Sequence, residues 1–238
     1  MESFVLSGRC NSCQVKFERE GCFVILDSES NIKLYTEQGW WDEVTIIDYL
    51  LRNVEVSPDM VCLVDPPNRT NFTVGEPKRL TWAEVKRAVD NLATGLLELG
   101  VKKDSVIQLQ MPNITEAPIV YLAAARIGAI VSPLAVQYRD HEVGYAMGLV
   151  EPTVYITTTN FNGFNFVDMV EKLRKDVPSL KAIIALGDNL PEGVLSLTEI
   201  IARDTDGKAL EDYLSKTTLS AYEIFTICWT SGTEATPK

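Results

Sequence analysis

Thr230, Ser231, Gly232, Thr233, Thr236 and Lys238 crowd the last nine positions of the 238-residue sequence, and these are the residue types that hold a polyphosphate. Such a loop needs backbone amides that can turn inward, hydroxyls that donate further hydrogen bonds, and a cation to offset charge. Gly232 lets the backbone approach an anion closely or take a positive φ, and Pro237 stiffens the exit so that Lys238 leaves in a fixed direction. Ahead of them, Phe225 to Trp229 is apolar, aromatic and partly β-branched, which reads as a strand feeding the loop. The bland alternative is a polar surface turn.

A Walker A loop has a superficially similar spacing, with four residues between Gly232 and Pro237-Lys238. That loop requires a second glycine where Pro237 stands and a Ser or Thr after the lysine for magnesium, so a P-loop kinase or GTPase is disfavoured. Thr230, Ser231, Gly232, Thr233, Pro237 and Lys238 instead match a loop of the form Thr-Ser-Gly-Thr/Ser-Thr-Gly-x-Pro-Lys after a strand. On these residues the chain resembles the adenylate-forming synthetases, the family of acyl-CoA ligases, luciferases and peptide-synthetase adenylation domains. Two positions depart from the pattern: Glu234 replaces a threonine and Ala235 a glycine. The variant Cys228-Trp-Thr-Ser-Gly-Thr-Glu-Ala-Thr-Pro-Lys238 resembles the loop of ligases for cyclic, aromatic or medium-chain acids. The likeness extends from Trp40 to Lys238 and includes Leu80-Thr81-Trp82-Ala83-Glu84, Leu99-Gly100-Val101, Met111-Pro112-Asn113 with Glu116, Ala125-Arg126-Ile127-Gly128-Ala129, and Pro133.

The resemblance implies an α/β fold, an incomplete amino-terminal portion of the adenylate-forming enzyme fold with a mainly parallel sheet flanked by helices. It further implies that a carboxylic acid attacks the α-phosphorus of ATP, giving an acyl-adenylate and pyrophosphate, and that coenzyme A then takes the acyl group. ATP, Mg2+ and coenzyme A are the implied cofactors, and Thr230, Ser231, Gly232, Thr233, Glu234, Thr236 and Lys238 the implied phosphate-binding residues. In the family the acyl pocket, the motifs at adenine, metal and ribose, and the catalytic lysine follow this loop. No catalytic or metal-binding residue is therefore expected within residues 1–238, and this polypeptide alone is expected to lack ligase activity. An α-carboxylate at Lys238 together with Glu234 leaves the loop formally negative, so negligible ATP affinity is expected, with micromolar binding the contrary result. The competing class is a non-catalytic module that keeps the family's core and associates with itself or with a complementary chain. A serine hydrolase fits poorly, because there is no G-x-S-x-G and the only histidine, His141, sits in Arg-Asp-His-Glu, which reads as an exposed helix start.

Composition is that of an ordinary globular chain, 46% hydrophobic and 23% charged. The formal charge of -11 would repel a nucleic-acid backbone, and no basic patch overrules it. Met1-Glu2-Ser3 does not open a secretory signal, so the expected compartment is the cytosol. Ala117 to Val136 is apolar apart from Arg126, but that charge and the punctuation by Pro118, Gly128 and Pro133 argue for helix, turn and strand rather than a membrane span. Five cysteines form no disulfide framework. Cys10, Cys13 and Cys22 lie close together, but the remaining candidates for a tetrahedral site, Cys62, Cys228 and His141, are remote in sequence. Asn-x-Thr triplets beginning at Asn68, Asn71 and Asn113 read as surface or turn residues.

Residues 1–39 show no clear periodicity beyond a short apolar run from Cys22 to Leu26, and are read as an extension of obscure role. Residues 40–238 alternate helices with short strands, as a parallel α/β sheet does. Strands are expected near Val61–Val64, Val106–Leu109, Ala129–Ser132, Val154–Thr157, Ala182–Ala185 and Ile224–Trp229. The clearest helix is Thr81 to Leu99, with Trp82, Val85, Val89, Leu92, Leu96 and Leu99 on one face, a capping box from Thr81 and Glu84, and Gly100 as a left-handed stop. Ser196 and Glu199 repeat the capping spacing before Ile200, and Gly75 and Pro77 mark a turn before Arg79 to Thr81.

Overall fold

The computed structural model describes residues 25–230. They fall into two compact units, residues 25–45 with 219–224, and residues 46–218 with 225–230. The first unit contains helix α1 (Glu29–Glu37), opened by Ser28, whose hydroxyl accepts from the Asn31 amide. Tyr35 meets the Trp41 ring edge-on at 4.9 Å, Trp41 stacks with Tyr222 at 6.0 Å, and the Tyr222 hydroxyl lies 3.1 Å from that of Thr36. Of the apolar run Cys22–Leu26, only Ile25 and Leu26 are described, and Ile25 makes a single antiparallel bridge to Glu223. Cys10, Cys13 and Cys22 lie outside the described residues.

The second unit begins with α2 (Ile46–Val56) and an antiparallel pair, β1 (Val61–Val64) and β2 (Arg79–Thr81). Helix α3 (Trp82–Glu98) follows as the periodicity requires. The Thr81 hydroxyl accepts from the Glu84 amide while the Glu84 carboxylate accepts from the Thr81 amide, and Gly100 at φ 78° carries the chain out of the helix. The main sheet comprises β3 (Val106–Gln110), β4 (Ile130–Pro133), β5 (Val154–Thr158), β6 (Ala182–Leu186) and β7 (Val194–Ser196), all parallel in the order β4-β3-β5-β6-β7. Between them run α4 (Glu116–Ile127), α5 (Asp140–Val150) and α6 (Phe166–Leu173), and after them α7 (Leu197–Ala202) and α8 (Lys208–Leu214). The apolar run from Ala117 is thus helix, a left-handed turn at Gly128, and strand. No helix among the described residues is long and apolar enough to cross a membrane.

Alternation along the strands splits the core in two. Ile107, Leu109, Val131, Val154, Ile156 and Ile184 face α3 and α4, with Leu197 of α7 and Leu210 of α8 in the same cluster. Tyr155, Ile183 and Ala185 face α5 and α6, joining Val143, Met147, Phe166 and Val170. Sandwiching between helix layers explains strands that are apolar on both faces. The three-residue strands β2 and β7 were not expected; they are too short to show a period. His141 is exposed in the first turn of α5, where Glu142 accepts from the Arg139 amide at 3.0 Å.

Candidate functional site

The order β4-β3-β5-β6-β7 reverses direction at β3, since β4 lies on one side of it and β5 on the other. In open α/β sheets ligands bind outside the carboxyl ends of the strands near such a reversal. The stretch that leads to Thr230 runs along the outer edge of β4, one strand from that reversal. Val131 of β4 donates to the Phe225 carbonyl at 3.0 Å and accepts from the Ile227 amide at 2.9 Å, making one parallel bridge between Val131 and Thr226. The chain therefore runs alongside β4 in the same direction and delivers Thr230 beyond its carboxyl end.

Ile224–Trp229 was expected as a full strand and is only this single bridge. The cause is local: after Val131, the next residue of β4 facing the same side is Pro133, which has no N–H to give. On the other side, the Ala129 amide is already committed to the Ala124 carbonyl at the end of α4. Side chains supply what the ladder lacks. The Thr226 hydroxyl donates to the Val131 carbonyl at 2.9 Å, and the Trp229 indole Nε1–H donates to Ser132 Oγ at 2.8 Å.

The sheet face beneath is polar and buried. Gln108 and Ser132 are adjacent in register and fully buried, and Gln108 Nε2 donates to both the Ser132 carbonyl (2.5 Å) and Ser132 Oγ (3.0 Å). Two residues on, Gln110 Nε2 holds the loop after β4 through the carbonyls of Ala135 and Tyr138, and its Oε1 accepts from the Tyr155 hydroxyl at 2.7 Å. Complete burial pushes the Tyr155 phenol well above its ordinary pKa, keeping it a neutral donor. Arg139 leaves the same loop with its guanidinium 4.0 Å from the centre of the Phe164 ring.

A second polar cluster ties the turn before β2 to the start of α4. Arg69 Nη1 reaches Asp65 at 2.6 Å and Glu116 Oε2 at 2.9 Å, Nη2 donates to Glu116 Oε1 at 3.0 Å, and Nε donates to the Val74 carbonyl. Lys78 Nζ meets Glu116 at 2.6 Å, and Asp65 accepts from the Thr115 and Lys78 amides. Burial raises the Asp65 and Glu116 pKa values, but these donors outweigh it and hold both below the usual carboxylate range. Nothing in the sequence distinguishes Asp65, Arg69 and Lys78, set among turn residues, from surface charges. The asparagines of the three triplets are exposed as expected, whereas Thr73 and Thr115 are buried and hydrogen-bonded.

Of the residues expected to hold phosphate, Thr230 is described and exposed, while Ser231, Gly232, Thr233, Glu234, Thr236 and Lys238 lie outside the described residues. Among the described residues no three His, Cys, Asp or Glu side chains cluster as a metal set. Cys228 is exposed and Cys62 half-buried, the latter thiol pushed up by burial.

The family described as AMP-binding enzyme matches residues 50–238. The medium-chain fatty-acid–CoA ligase of Escherichia coli (strain K12) is 26% identical over 226 residues, covering 90% of this chain and 37% of that protein. Among solved structures, the acetoacetyl-CoA synthetase from Streptomyces lividans superposes with a TM-score of 0.64 at 26% identity, over 82% of this chain and 29% of its own. Mycobacterium smegmatis MbtA in its apo form gives a TM-score of 0.72 at 18% identity over 91% of this chain and 36% of its own, a likeness of fold. The chain thus spans about a third of the length of the relatives it matches.

Proposed function

The chain belongs to the AMP-binding enzyme family, and from that premise we propose that it is the amino-terminal part of an ATP-dependent acid–CoA ligase. In this reading residues 40–238 form the first part of the AMP-binding domain and residues 1–39 an extension before it. A carboxylic acid attacks the α-phosphorus of ATP, pyrophosphate leaves with the acyl-adenylate formed, and coenzyme A displaces AMP. The amides and hydroxyls of Thr230, Ser231, Gly232, Thr233 and Thr236, with Lys238, would hold the β- and γ-phosphates and stabilise the charge that accumulates on the leaving pyrophosphate. Glu234 works against that charge. Mg2+ carried with ATP would be held by phosphate oxygens, since no carboxylate set stands among the described residues.

One observation carries the reading: the chain runs beside β4 in parallel and delivers Thr230 to the carboxyl end of the sheet, one strand out from the reversal at β3. The ligase and synthetase names of the relatives support coenzyme A as acceptor, and the name of the Escherichia coli ligase supports a medium-chain acid as substrate. The polypeptide 1–238 alone is proposed to be inactive, since it spans only about a third of those relatives. The test is to place an amino-terminal tag at the native locus, purify the product as the cell makes it, and supply short-, medium-chain and aromatic acids with ATP and coenzyme A. Acid-dependent AMP release with acyl-CoA formation is expected; a product that adenylates no acid would contradict the proposal.

A second reading, a non-catalytic module that associates with itself or with a complementary chain, draws on one surface. Ile46, Tyr49 and Val56 of α2 recur on one helical face at 47%, 50% and 74% exposure, and Val61 and Val64 of β1 are also exposed. Sedimentation velocity across a concentration series decides it: a monomer at all concentrations removes self-association.

A further inference from the structure

We propose that Trp229 is a positioning residue for the phosphate loop, and that Ser132, oriented by Gln108, is its anchor. The proposal rests on the phosphate-loop reading of Thr230 to Lys238. A loop of donors assists pyrophosphate departure only if its first residue leaves the sheet in a fixed direction. The ladder beside β4 does not extend that far: among the described residues it is interrupted at Pro133 and begins and ends at Val131.

The side chains take over where the ladder stops. Trp229 immediately precedes Thr230, and its indole is partly buried against the core between the sheet and α5 and α6. An indole N–H can only donate, and its 2.8 Å bond to Ser132 Oγ gives the ring one orientation. Ser132 Oγ has two lone pairs; the second accepts from Gln108 Nε2 at 3.0 Å, and the same amide nitrogen reaches the Ser132 carbonyl at 2.5 Å. With the amide turned the other way, Gln108 Oε1 would face the Ser132 carbonyl, an acceptor, at the shorter of the two contacts. The orientation that holds Ser132 leaves Oε1 buried without a partner among the described residues. Gln110, on the same face of the same strand, has partners for both ends of its amide. Gln108 thus gives up an acceptor bond to keep Ser132 facing Trp229.

The test follows the indole Nε1–H of Trp229 and the amide of Thr230 by NMR in the whole 238-residue chain and in S132A, S132T and W229F. In S132A, hydrogen exchange at Trp229 Nε1 should quicken about five- to tenfold, the equivalent of one hydrogen bond, and S132T should restore the slow rate. Inorganic tripolyphosphate at high millimolar concentration, far above the micromolar range in which the negatively charged loop is expected not to bind, should shift the Thr230 amide in the native sequence and in S132T, and the response should weaken by a similar factor in S132A and W229F at a temperature where every variant remains folded. Because W229F leaves Ser132 and Gln108 intact, it reports even where S132A disturbs the sheet. Unaltered indole exchange in S132A overturns the anchor. Altered exchange with an equal tripolyphosphate response in all variants overturns the positioning role and leaves a purely structural contact. Altered exchange with no response in the native sequence overturns the phosphate-loop reading itself, and the positioning role with it.

Discussion

Arg69 and Gln108 are both fully buried, yet Arg69 has partners on all three guanidinium nitrogens while Gln108 keeps an acceptor with none among the described residues. The Arg69 cluster is ionic, closed and distant in character from catalysis: it joins the turn at 65–78 to the start of α4. The Gln108 set is neutral, incompletely satisfied and directed at the residue before Thr230. Buried groups that serve only the fold tend to be fully paired, whereas an unsatisfied group is tolerated where orientation matters more than stability. The difference separates what holds this fold together from what aims its loop.

The largest way to break the comparison is R69M. It leaves Asp65 and Glu116 buried without their main cation, and should cost about 3–5 kcal/mol in urea unfolding; a loss below about 1 kcal/mol would make the cluster no more than a surface-type ion pair. Next comes E116Q, which keeps the shape but not the charge and should cost about 1.5–3 kcal/mol at neutral pH. Asp65 and Glu116 have lowered pKa values in the fold. Their contribution is therefore complete above the unfolded values of about 3.9 and 4.3 and is lost as pH falls below them through the lower folded values. Stability against pH should fall less steeply through that acid range in E116Q than in the native sequence; parallel curves would contradict the assignment.

G75A is smaller. Gly75 has φ 83°, and a Cβ there would stand 2.9 Å from Arg69 Nη2, so a cost of about 1–2 kcal/mol from the left-handed conformation is expected in the same titration. W229F should be smallest in stability, about 0.5–1.5 kcal/mol for one hydrogen bond, while carrying the larger effect on the Thr230 amide. If W229F instead destabilised the fold as much as R69M, Trp229 would belong with the Arg69 cluster and the contrast would collapse.

The scaffold was legible where one signal sufficed. Helix α3 follows from its apolar stripe, its reciprocal cap and Gly100, and the strands from Val61, Val106, Val154 and Ala182 begin where their apolar runs begin. The stretch Ile224–Trp229 was over-read because composition reports what suits a strand and not whether the neighbour has donors to offer; Pro133, nearly a hundred residues earlier, decided that. Arg69, Asp65, Glu116 and Lys78 gave no sign of burial, since ion-pair partners from separate turns meet only after folding. For the site, Thr230 was placed at a loop after an apolar run, but the roles of Gln108 and Ser132 depend on cross-strand register, which one sequence does not print.

Reading the coding sequence past codon 238 tests most directly whether residues 1–238 are the amino-terminal part of an acid–CoA ligase. The proposal predicts an in-frame glycine next, followed by the aromatic-and-acidic, ribose-binding and catalytic-lysine motifs that the family resemblance implies. A stop codon there, with no such continuation in any frame, would contradict it and make an interaction module the leading reading.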